Sequence, residues 1–120
     1  MSKLVTNAND ILGVKDLREE KVFVEEWGKE VIVREFSGRE LQSVLKLDSF
    51  KAGDGGDFAI LDAAKVCVMA IKDENGARIF TDDQAEDLAD KNLQAVMTVF
   101  KAALEVSGMT GDEQDKEKNG

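Results

Sequence analysis

The residues able to do chemistry in this chain are few, and histidine is absent altogether. Ser/His/Asp and Cys/His mechanisms are therefore excluded, and the commonest general base and metal ligand at neutral pH goes with them. The one cysteine, Cys67, lies in the most apolar stretch, where burial raises a thiol's pKa and suppresses the reactive thiolate. It reads as a core residue. Asp73, Asn75 and Gly76 resemble part of a calcium loop, but setting Gly76 at the sixth loop position puts Ile71 where the first carboxylate ligand belongs. A turn accounts for the same residues, since Asn-Gly is a preferred turn pair. Asp54-Gly55-Gly56-Asp57 lacks the lysine and Ser/Thr of a phosphate cradle and reads as a linker. With 25 Asp and Glu, some carboxylates meet by chance, so paired acids alone do not indicate hydrolytic chemistry. No catalytic, cofactor-binding or metal-binding residues are expected, and the chain is not expected to be an enzyme.

Binding is the remaining chemistry, and the residues suited to it are Phe23, Trp27 and Ile32. They lie in a pair of segments rich in β-branched and aromatic residues, Lys21–Trp27 and Glu30–Phe36, separated by Gly28-Lys29. Glycine supplies the positive φ of a tight turn, so the segments read as a β-hairpin over 21–36. A two-residue turn at Gly28-Lys29 sets Trp27 opposite Glu30, Val24 opposite Val33 and Val22 opposite Glu35. One face then carries Val22, Val24, Val31 and Val33 and packs on the core, while Phe23, Trp27 and Ile32 share the other. Either helices or the N-terminal segment cover that aromatic face, as on most monomers, or it is left open for self-association or partner binding, to which open strand edges also lend themselves.

Helices must cover the hairpin's apolar face. Ser37 followed by Glu40 is a capping box, and Leu41, Val44 and Leu45 continue at helical spacing to about Asp48. After a break at Lys51–Asp57, Asp57 caps a helix over 57–72 that is apolar on nearly all sides and so belongs at the centre of the core. Asp73–Gly76 ends it, and Ala77–Phe80 is a short extended piece. Thr81 and Gln84 form a second capping box, opening a helix to about Asp90. The last helix, over 92–107, carries Leu93, Val96, Met97, Val99, Phe100, Ala103 and Leu104, with Gly108 as its stop. Leu61 and Leu104 are read as buried. Before the hairpin, Ile11, Leu12, Val14 and Leu17 suggest a brief helical turn.

The expectation is an α+β fold, mainly helical: an N-terminal β-hairpin followed by about four helices. Residues 1–20 are a partly ordered N-terminal segment, 21–108 one globular domain, and 109–120 a disordered acidic tail. A formal charge of -9 disfavours nucleic acid and anionic lipid as partners, and no apolar run approaches membrane-spanning length. A lone cysteine and an N-terminus without a secretory pattern point to a reducing cytoplasm.

The order of these features, from the hairpin segments through Ser37-Gly38-Arg39-Glu40, the apolar helix ending in Asp73-Glu74-Asn75-Gly76, Arg78-Ile79-Phe80-Thr81 and the helix closing on Phe100–Gly108, resembles the tail assembly chaperones of long-tailed bacteriophages. The resemblance covers about residues 20–108. It implies a protein of the host cytoplasm that binds the tape measure protein, keeps it soluble, helps recruit tail tube subunits and is absent from the finished virion. It also implies a second, longer form made by a ribosomal slip near the end of the reading frame. No catalytic or cofactor residues come with it. A structural head or tail component of the virion is the nearest alternative. An acidic DNA mimic ranks below it, because acids here alternate with bases, as in Val33-Arg34-Glu35.

Overall fold

In a computed structural model, residues 3–51 and 59–109 are described. A short turn of helix, α1 (Asn9–Leu12), leads into β1 (Glu19–Val24) and β2 (Lys29–Arg34). Then come α2 (Gly38–Leu45), α3 (Asp48–Lys51), α4 (Ile60–Ala70), β3 (Ile71–Lys72), α5 (Ala85–Ala89) and α6 (Leu93–Val106). The fold is α+β with helix outweighing strand, as the sequence leads one to expect.

The hairpin forms, but not in the expected register. Val22 stands opposite Val31, Phe23 opposite Glu30 and Val24 opposite Lys29. The loop is the four residues Glu25–Gly28, wound by the Trp27 N–H donating to Val24 O (3.1 Å) and the Gly28 N–H donating to Glu25 O (3.1 Å). Gly28 closes it at φ 60°, so the glycine has its expected backbone role in a longer loop. The register therefore differs by four residues. Because side chains alternate with period two, that even shift leaves the valine face intact. Val24 and Val33 are fully buried, and Val22 and Val31 pack against the core. Trp27, by contrast, leaves the strand and joins the loop.

The expected helix over 57–72 also needs correction. It ends at Ala70, and Ile71-Lys72 turn directly into a third strand, antiparallel to β2 with Ile32 opposite Lys72 and Val33 opposite Ile71. The sheet order is β1-β2-β3. The apolar run continues unbroken across the boundary, so periodicity cannot mark it. Residues 52–58, which take in most of the expected break over 51–57 and the start of the expected helix with Asp57, and residues 110–120 of the expected tail lie outside the described residues. Ser49 pins the two sides of that stretch: its N–H and hydroxyl donate to Asp62 Oδ2 (3.1 and 2.7 Å), and the Ala59 N–H donates to its Oγ (3.1 Å).

Both capping patterns hold. The Glu40 N–H donates to Ser37 Oγ (3.2 Å) and the Ser37 N–H to Glu40 Oε1 (3.0 Å). The Thr81 N–H donates to Gln84 Oε1 (2.8 Å), although the first turn there, Asp82–Gln84, is a 3₁₀ turn before α5. Asn92 caps α6 by accepting from the Ala95 N–H (3.1 Å). Gly108, at φ 72°, stops α6 in a Schellman turn, in which the Met109 N–H donates to Leu104 O (2.8 Å) and the Gly108 N–H to Glu105 O (3.1 Å). Met109 then packs against the core.

The core is layered. α6 lies on β1 and β2, and α4 packs against both α5 and α6. Ala63, Ala64, Val66, Cys67, Val68 and Ala70 of α4 are all buried, so this helix is the centre expected of it. Leu61 and Leu104 are half-buried rather than buried, and Leu93 is exposed. Small and β-branched residues fill most of the interior together with Leu88, Phe36 and Phe100, while Leu61 and Leu104 flank it.

Candidate functional site

Among the described residues, no group of three His, Cys, Asp or Glu side chains could hold a metal ion, and no helix is long and apolar enough to cross a membrane. Cys67 has its thiol pushed up to about 12 by burial, and its Sγ donates to Val96 O (3.5 Å) inside the core. Asp73 is used by its own turn: Oδ1 accepts from the Asn75 N–H (2.8 Å) and the Ala77 N–H (3.0 Å). The Ala77 bond, then the Asn75 bond, hold its carboxyl below the usual carboxylate range. The described residues present candidate surfaces on the sheet, over α5 and on the N-terminal segment.

The first surface is the sheet face turned away from the valines. Phe23 projects there at 60% exposure, diagonal across the ladder from half-buried Ile32. These two of the three sequence-chosen residues are brought together. The same face is closed at β3 by a buried ion pair. Lys72 Nζ, 3% exposed as a residue, donates to Glu40 Oε2 at 2.7 Å. Glu40 thus caps α2 with one oxygen and ties that helix to the sheet with the other. Burial pushes the Glu40 carboxyl up, but the Lys72 hydrogen bond, the Ser37 N–H and the charges of Lys72 and Arg34 outweigh burial and leave it lowered. Beside this pair Arg34 donates to Gly76 O (3.3 Å), while its Nε is shielded with no acceptor among the described residues. Sequence reading missed Lys72 because a lysine at the end of an apolar helix looks like an exposed terminus. The signal was Glu40, whose capping role leaves one oxygen spare.

Trp27 belongs to a different surface. The loop swings it off the sheet face and over α5, where it lines a groove of ≈ 390 Å³ with Phe80, Leu88, Gln84, Asp87 and Lys91. Its indole nitrogen is shielded and finds no acceptor among the described residues. Phe80 and Leu88 are the residues that sequence reasoning did not connect to Trp27, because only the four-residue loop brings them together.

A third apolar surface is the N-terminal segment. Thr6 donates from its N–H (2.9 Å) and hydroxyl (3.0 Å) to Asp10 Oδ2, which fixes the turn of α1. Ile11, Leu12 and Val14 all remain exposed on it. The segment joins the domain at Arg18, whose backbone extends the ladder to Glu35 and whose guanidinium donates to Val106 O (2.8 Å) at the end of α6.

With this geometry in place, comparison with known proteins is informative. The profile of a family described as phage tail assembly chaperone matches residues 14–119. Among solved structures, the bacteriophage HK97 tail assembly chaperone superposes with a TM-score of 0.58 at 19% identity, over 78% of this chain and 84% of that one. At that identity the likeness is one of fold. No curated protein sequence matches significantly.

Proposed function

The chain belongs to the phage tail assembly chaperone family, and from that premise we propose that it binds the tape measure protein, holds it soluble and helps recruit tail tube subunits. The observation that carries the reading is the family match across residues 14–119, nearly the whole chain. The surfaces support it. A tape measure protein presents long apolar helical stripes before the tube encloses it, and covering them removes a drive to aggregate of about 25 cal/mol per Å² of apolar area. Exposed apolar residues occur here on the sheet face at Phe23 and on the N-terminal segment, and half-buried Trp27 and Phe80 line the groove over α5. A net charge of -9 opposes association between the complexes so formed.

On this reading the work is non-enzymatic, takes place in the host cytoplasm and leaves no copy in the finished particle. Phe23, Trp27 and Ile32 remain the proposed contact residues, now divided between two surfaces. Co-expression tests the proposal: a tape measure protein from the same locus is expected to be soluble with this chain and insoluble alone. No change in solubility and no co-purification would overturn it. Recovery of the chain in purified particles would assign it to the virion instead.

A further inference from the structure

Resting on that chaperone reading, we propose that the Trp27 groove is a docking site for an amphipathic partner helix that carries its basic residues beside its apolar stripe. The floor supplies the apolar half of the recognition: Trp27, Phe80 and Leu88 come from three separate parts of the chain and line one trough of ≈ 390 Å³. Of the lining residues Asp87 is acidic and Lys91 basic, and the segment that carries Asp87 adds further acids beside them. The run from Thr81 to Asp90 contains Asp82, Asp83, Glu86, Asp87 and Asp90 and no basic residue. Among the described residues only Asp82 of these five is in an ion pair, with Arg78 at 2.7 Å.

Asp87 lines the groove from α5, with Asp83 in the 3₁₀ turn before that helix and Asp90 at its C-cap, all three exposed. A guest in the trough therefore meets apolar surface below and Asp87 at the edge, with exposed Asp83 and Asp90 before and after it in the chain. A helix suits this place better than a strand. The groove offers no free sheet edge, so a strand's backbone groups would lie unpaired against apolar side chains, whereas a helix satisfies its backbone internally. Charge complementarity then selects Lys or Arg beside the stripe and rejects Glu or Asp there.

Trp27 is the only tryptophan, so its fluorescence reports the groove directly. Two tryptophan-free helical peptides of about 18 residues, about 27 Å long, serve as probes. Both carry leucines at helical spacing, one flanked by Lys and Arg and the other by Glu. The basic peptide is expected to shift Trp27 emission to the blue saturably, to bind at least about tenfold more tightly than the acidic one, and to weaken as salt rises. Asp83→Lys/Asp87→Lys, at two exposed positions, is expected to invert the preference with an unchanged circular dichroism spectrum. Equal binding of the two peptides to the wild-type chain, or no change in Trp27 emission, overturns the proposal whether or not the variant folds. The co-expression assay separates this from the chaperone reading. If the charge-reversed chain solubilises the tape measure protein as well as wild type does, the groove assignment falls and the chaperone reading stands. If wild type fails to solubilise it, the chaperone reading falls on its own.

Discussion

At the scale of single residues, the contact with most consequence is the one between Lys72 and Glu40. A lysine 3% exposed is costly to keep charged, and a single carboxylate oxygen at 2.7 Å offsets that cost. Removing the carboxylate leaves the ammonium buried without its partner. Glu40→Ala is therefore expected to lower unfolding free energy by about 3–5 kcal/mol, the usual result of breaking one side of a buried pair. Adding Lys72→Met to it should recover much of that loss, because the buried charge goes too. Urea unfolding of the single and double variants measures both. The pH dependence has a definite sign. The folded Glu40 carboxyl lies below its ordinary 4.5, so the stability it brings is complete above that value and is lost as pH falls through the lower folded value. Glu40→Gln should flatten the acid limb of the stability profile and leave its slope near neutrality unchanged.

At the scale of elements, local signals were legible and pairing was not. Ser37 with Glu40, Asn92 and Gly108 mark helix ends by chemistry that acts within a few residues, and all of them sit where that chemistry requires. The valine face was legible because it depends on alternation alone. The hairpin register was not, because Gly28 can close a two-residue or a four-residue loop with the same positive φ, and the longer one, which sets Trp27 beside α5, depends on contacts distant in sequence. The candidate interface was half legible for the same reason: Phe23 and Ile32 stay together on the sheet, and Trp27 does not join them. β3 was hidden because Ile71-Lys72 prolong the apolar run of α4. That boundary can be tested by truncation. Ile71 is among the largest fully buried side chains, whereas Leu104 is half-buried. Ile71→Ala should cost about 2–5 kcal/mol and Leu104→Ala clearly less, in the same denaturant titration. Equal losses would mean that Ile71 is not the residue joining the helical core to the sheet.

At the scale of the whole molecule, the charge of -9 acts on every association the chain enters, and it acts with opposite signs on different partners. Two copies repel each other through the net charge, so contact between their apolar faces, such as the sheet face with Phe23 and Ile32, works against an electrostatic barrier. Salt screens that barrier over a Debye length of about 10 Å at 0.1 M. Self-association through the sheet face is therefore expected to strengthen as salt is added, while capture of a basic helix in the acidic-rimmed groove weakens. Sedimentation velocity at low and high salt, run beside the Trp27 fluorescence titration, reads the two responses on one protein. Phe23→Glu should return the high-salt species to monomer without altering the Trp27 titration, since Phe23 is exposed and does not line the groove. If it leaves the sedimentation profile unchanged, the sheet face is not where copies meet. If salt weakens both responses alike, then the association between copies is itself ionic, and the net charge does not set its sign.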